Sequence, residues 1–165
     1  MAFKIFSGDF LDELVGLARI SPRRRQHRNL HADYQDPCQR LFNAIEPDSY
    51  IPPHRHLADP RDELLVAVRG LMALVTFDDQ GAVTTVQHFG TEKHGEKLAV
   101  GAEVASGTWH TVLALAPGCV LLEAKAGPFN PAQPKGLEPW APPEGSEEAA
   151  VYLHQLRQLV SSKTG

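Results

Sequence analysis

The chain has 165 residues, 42% of them hydrophobic and 22% charged, with a formal net charge of −4. That length predicts one domain with a core of its own, and the composition is that of a globular rather than a disordered protein. The acidic balance leaves no general field to recruit nucleic acid or an anionic membrane, so any cationic site has to be local.

The first segment, "MAFKIFSGDFLDELVGLARIS", carries Asp9, Asp12 and Glu13 where a signal peptide needs an apolar core. No uncharged apolar run approaches the ~20 residues of a membrane span, so a cytoplasmic chain is expected. The segment itself predicts a helix, with Asp9 as cap, Asp12 and Glu13 near its positive end, and Phe10, Leu14, Leu17 and Ala18 at helical spacing. "SPRRRQHRNLHADYQDP" has no apolar period and is bounded by Pro22 and Pro37, which predicts an extended arm or loop. From Gln39 onward short runs rich in Leu, Val, Ile and Phe alternate with turn residues, the pattern of a sandwich, jelly roll or small barrel. Asp79 and Gly81 suit a hairpin after "GLMALVTF", and Pro117–Gly118 suits a turn between "HTVLALA" and "CVLLEAKA". The proline-rich "GPFNPAQPKGLEPWAPPEG" cannot sit inside a sheet and is expected to wrap the surface as a strap. A closing helix follows, capped by Ser146, with Glu147 and Glu148 in its first turn and an apolar stripe of Tyr152, Leu156, Leu159 and Val160. The boundaries are 1–38 for the helix and arm, 39–127 for the β-barrel and 128–165 for the strap and helix, all in one structural domain. Cys38 and Cys119 lie far apart and in no CxxC pair, so they are expected as reduced, buried thiols.

The chemistry concentrates in "PPHRHLADPRDELLVAVRG". Residues two apart on an extended chain share a face, so His54 and His56 point one way and Arg55 the other. If the next strand pairs antiparallel with this one, Glu63 lies opposite the imidazoles, with Leu65 and Ala67 on the same inner face. Leu64, Val66 and Val68 then face outward. Imidazole and carboxylate together suit a divalent transition metal, and His110, after a glycine turn at the mouth of an apolar strand, supplies a third imidazole. An isolated HxH is weak evidence; HxH with the spaced Glu63, Gly70 and His110 is far more specific.

These residues resemble the two motifs of the cupin superfamily. His54, His56, Glu63 and Gly70 match the first motif, with six residues between the last two, and Gly107 with His110 matches the second. The chain departs from that pattern at Asp48, Ala105 and Ala114, and in the six residues that separate His56 from Glu63, where three or four are usual. The blocks "SPRRR", "DPCQRLFNAIEP", "PPHRH", "FDDQG", "GTWHTVLALAPG" and "EAKAGPFNP" are similar to the WbuC-type cupin-fold metalloproteins, over roughly residues 19 to 131. The resemblance implies an all-β cupin jelly-roll barrel with an N-terminal and a C-terminal helix. It also implies one divalent transition metal (Fe, Mn, Ni, Co or Zn) on His54, His56, Glu63 and His110, and a homodimer. Polysaccharide or nucleotide-sugar metabolism is the implied setting.

Around the metal residues the sequence leaves alternatives open. Arg23, Arg24, Arg25 and Arg28 suit a phosphate or carboxylate, or else pair with nearby acidic groups. If the arm covers the barrel mouth, Arg24, Arg25, Asn29 and His31 would meet substrate. Asn43 interrupts an otherwise apolar strand, as a lumen-lining amide or a structural one. Trp109 faces away from the metal side by parity, toward core or interface packing. Glu123 and Lys125 share a face, as a mouth-lining pair or a cross-strand salt bridge. The expected function is a metal-dependent enzyme, an isomerase, lyase or oxygenase, acting on a small anionic or polyhydroxylated molecule; no catalytic residue is assigned. The alternatives are a non-catalytic sugar or sugar-nucleotide binding module and a metal-free sugar epimerase.

Overall fold

In the computed structural model, residues 3–56, 61–130, 136–137 and 140–163 are described. In chain order they form α1 (Gly8–Ile20), β1 (Arg25–Asn29), β2 (Cys38–Ile45), β3 (His54–Arg55), β4 (Glu63–Arg69), β5 (Leu71–Phe77), β6 (Val83–Gly90), a 3-10 turn (Glu92–His94), β7 (Gly101–Val104), β8 (Trp109–Ala114), β9 (Cys119–Ala126), β10 (Gly136–Leu137) and α2 (Glu147–Ser162). The strands pair in two five-stranded sheets, β1-β2-β9-β4-β7 and β10-β3-β8-β5-β6. This is the expected all-β jelly roll with a helix near each end.

Glycines carry the chain from one sheet to the other. Gly70, at φ 88°, joins β4 of the first sheet to β5 of the second, and a Cβ there would lie 2.5 Å from Cys119 Sγ. Gly118, at φ 68°, completes the turn between β8 and β9, again across the sheets. The β5–β6 hairpin closes at Gly81 as the sequence predicts, with Asp78 Oδ1 accepting from the Gln80 and Ala82 amides, each at 2.9 Å.

Between the sheets lie Ile45, Leu65, Met72, Leu74, Phe89, Val112 and Leu121. Each sheet also buries part of its outer face under a helix. Leu14, Val15 and Ala18 of α1 pack on Phe42, Ala44 and Val120; Leu153, Leu156 and Val160 of α2 pack on Ala73, Val75, Leu113 and Trp109. β8 is therefore buried at every position, the polar His110 and Thr111 included. Each fully buried Val, Leu, Ile, Phe or Met side chain among these contributes roughly 1.5–3 kcal/mol by leaving water.

Several expectations are corrected. β3 does not pair with β4: it lies in the opposite sheet, against β8 and β10. A two-residue strand offers almost no ladder, whereas β9 gives β4 partners from Glu63 to Arg69. Residues 57–60 of the connecting insert lie outside the described residues. α1 is capped by Ser7, whose hydroxyl accepts from the Phe10 amide, and Asp9 sits in the first turn. Leu17 is 37% exposed, and on α2 the buried stripe runs through Leu153 rather than Leu159. Cys38 is exposed; only Cys119 is buried. The arginine-rich arm is extended, but as the edge strand β1, paired with β2 from Arg25↔Ile45 to Asn29↔Leu41. It lacks an apolar period because its inward residues, Arg25, His27 and Asn29, line a cavity rather than the packed core.

Candidate metal centre and its cavity

β3 and β8 run antiparallel with His54 directly opposite His110, and their ring centroids are 4.5 Å apart. Glu63 reaches the same place from the opposite sheet, at the start of β4, and is 3% exposed. Donor atoms of His54, Glu63 and His110 lie within 4.8 Å of one another. His56, just past β3, is outside that group of three; its Nε2 is 3.5 Å from Glu63 Oε1. Arg55 points the other way, over the Trp109 ring at 4.3 Å and against Asp79 at 2.9 Å.

Main-chain carbonyls orient the imidazoles. Nδ1 of His54 lies 2.9 Å from the Pro52 oxygen and Nδ1 of His110 lies 2.9 Å from the Thr108 oxygen. A carbonyl only accepts, so both Nδ1 atoms carry a proton and both Nε2 atoms are turned to the interior. His110 Nε2 then faces the Glu63 Oε2 acceptor at 3.2 Å. Either a proton on His110 Nε2 or a metal ion between the two atoms satisfies that approach. His56 Nε2 is also buried without a hydrogen-bond partner. The donor set of imidazole nitrogens and one carboxylate fits a divalent transition metal on chemical grounds.

The other side of Glu63 meets Lys125, whose Nζ is 2.7 Å from Oε1 and 3.1 Å from Glu123 Oε1. Burial opposes ionisation of Glu63, but its contacts with His110 and His56 and the charge of Lys125 outweigh that, holding the carboxyl well below the usual range. For Lys125 burial also works against the charge, and Glu123 and Glu63 override it, so its pKa is raised.

The group opens on a cavity of about 590 Å³. Its walls include Arg25, Asn29, His31, Asn43, His54, Glu63 and His110 from the predicted set, together with Lys125, Glu123, Tyr34 and Phe129. Arg24 is not on it. Its guanidinium pairs with Asp48 at 2.8 Å, and its backbone φ of 56° turns the chain at the head of β1. Arg25 is on the wall, but its Nη1 is held by Glu144 at 2.6 Å and the Tyr50 carbonyl at 2.9 Å. Arg23 grips the same Glu144, and Arg28 pairs with Glu13 at 3.0 Å. Asn43 and His31 differ from these arginines. Asn43 is 3% exposed with Oδ1 unpartnered, and His31 is 7% exposed with Nε2 unpartnered. Trp109 faces α2 and Trp140, away from the centre. The sequence left Glu123 and Lys125 open as a mouth-lining pair or a cross-strand salt bridge; they line the cavity, and the contact of Lys125 with Glu63 follows only from the β4–β9 register.

Residues 6–89, half of the 165-residue chain, match the family described as a domain of unknown function, DUF6016. No curated protein matches the sequence. Among solved structures, the chain is similar to a tryptophan-to-phenylalanine variant of Bacillus subtilis oxalate decarboxylase, with 13% identity and a TM-score of 0.50 over 68% of this chain and 28% of that one. KdgF from a Halomonas species matches at 14% identity and a TM-score of 0.47, over 67% of this chain and 85% of that one. A conserved protein of unknown function from Streptococcus pyogenes matches at 12% identity and a TM-score of 0.48, over 67% and 80%. At these identities the likeness concerns the fold, which is that of the cupins, as the motif residues imply. Among the described residues, no helix is long and apolar enough to cross a membrane.

Proposed function

The chain belongs to the DUF6016 family, a domain of unknown function, and from that premise we propose that it is a metal-dependent cupin enzyme for a small polyhydroxylated or anionic metabolite. The observation that carries the reading is the meeting of His54, Glu63 and His110 within 4.8 Å, with two imidazoles locked so that Nε2 faces inward. His54, His110 and Glu63 would hold the ion, and His56, whose buried Nε2 makes no hydrogen bond and lies 3.5 Å from Glu63 Oε1, would join them as a fourth ligand. When bound, such an ion supplies a Lewis acid or an activated water.

The chain's own residues supply the rest. Asn43 Oδ1 calls for a donor such as a hydroxyl and His31 Nε2 for a polar partner, and both residues line the same cavity. Asn29, on the cavity face of β1, adds a further amide. Of the arginines, Arg23, Arg25 and Arg28 lend charge to the mouth while already gripping Glu144 and Glu13. A polyhydroxylated, carbohydrate-like molecule therefore fits the unpaired atoms better than a phosphate that needs free guanidinium groups. The similarity to WbuC-type proteins extends the proposal to polysaccharide or nucleotide-sugar metabolism in the cytoplasm. The 42% exposed Leu64 on the outer face extends it to a homodimer.

A thermal-shift screen of sugars, sugar acids and nucleotide sugars, run with the metal restored and followed by product analysis, tests this reading. A stabilising ligand that is also converted supports it. Stabilisation without conversion makes the protein a binding module instead.

A further inference from the structure

Glu63 has two carboxylate oxygens, and the fold gives them different partners. β4 and β9 run antiparallel with Glu63 opposite Lys125 and Leu65 opposite Glu123, so these side chains emerge on one inner face. Lys125 Nζ takes Oε1 at 2.7 Å, while Oε2 faces His110 Nε2 at 3.2 Å. The Lys125 side chain is only 13% exposed, so its charge is weakly screened by water. An ammonium and a metal ion held by Glu63 would both draw on this one carboxylate, and they would repel each other. Glu123 Oε1, 3.1 Å from the same Nζ, pulls the ammonium the other way.

We infer that Lys125 is the internal counter-ion of Glu63: it keeps the His–Glu–His group formed without a bound ion and lowers the affinity for one, to a degree that Glu123 moderates. The inference rests on the metal reading above. A buried carboxylate with no cation is costly, so a site that must stay open between metal-binding events needs a charge of its own. Lysine suits this role because its ammonium is a compact point charge with three donors, two of which meet Glu63 and Glu123.

The test titrates Mn²⁺, Co²⁺ and Zn²⁺ by calorimetry into the chelator-stripped full chain and into two variants, and records the melting of each metal-free protein. Lys125→Met, which keeps the stem and removes the charge, should bind the ions roughly tenfold more tightly or better, the scale of losing a like charge at short range. Glu123→Gln leaves the ammonium to Glu63 alone and should weaken binding by about threefold or more. Metal-free Lys125→Met should melt below the wild type, and adding Glu63→Gln to it should recover part of the loss. Opposite shifts in the two variants support the inference, since a merely structural lysine would not produce them. Unchanged or weaker binding in Lys125→Met overturns it. If no protein of the set takes up any of the three ions, the metal reading fails. The metal-free melts then decide alone, and a Lys125→Met protein as stable as wild type overturns the counter-ion.

Discussion

Asn43 is a residue whose local cost points to its use. It lies on the inner face of β2, 3% exposed, opposite Leu121 on one side and His27 on the other, with Oδ1 unpartnered. A buried polar group without a partner costs about 1–3 kcal/mol, and an apolar group of the same shape removes that cost. Asn43→Leu is therefore expected to leave the free protein as stable as wild type, or more stable by about 1 kcal/mol, in urea unfolding. The same variant should lose the thermal shift given by whichever metabolite the screen finds. A loss of stability instead would make the amide a structural group.

At the level of elements, two joints govern how the strands meet. Gly70 carries the chain between sheets at φ 88° with Cys119 Sγ 2.5 Å from any added Cβ, whereas Gly107, at φ 78°, has open space around it. Gly70→Ala should cost at least about 2 kcal/mol and clearly more than Gly107→Ala, whose cost is backbone strain alone. Equal losses by chemical denaturation would contradict the close approach. The second joint is Glu144, which ties the stretch before α2 to Arg23 and Arg25 at the head of β1. Burial opposes its ionisation, but the bonds from Arg25 and Arg23 prevail and its pKa is lowered. A lowered folded-state pKa means the stabilisation is complete above the ordinary value of 4.5 and fades as the pH falls below it. Glu144→Gln should thus melt about 2–6 °C below wild type at pH 7, with the two curves converging in acid. An equal gap at low pH would contradict the ion pair as the cause.

Across the whole molecule, what was legible in the sequence was local. The candidate ligands stand out because His54, Glu63 and His110 each lie at or next to a strand start, and parity puts His54 and His56 on one face and Arg55 on the other without knowledge of any partner strand. Glu63, with Leu65 and Ala67 behind it, likewise follows from alternation along one strand. What escaped depends on pairing between distant segments. The placement of β3 in the sheet opposite β4 and the meeting of Lys125 with Glu63 are set by register across the barrel. The strand in the arginine-rich arm escaped for another reason: a strand whose inner face meets an open cavity instead of the packed core has no apolar alternation to read. Two packed sheets with a helix on each then hold donor atoms from both sheets at one point.

The most direct test of that convergence is the metal content of the purified chain after reconstitution with divalent ions and removal of excess, read by elemental analysis. Wild type is expected to hold about one ion per chain, and a His54→Ala, Glu63→Gln, His110→Ala variant, shown to be folded by its circular dichroism and cooperative melting, almost none. A folded variant that still held a stoichiometric ion, or a wild-type chain that held none, would contradict the account.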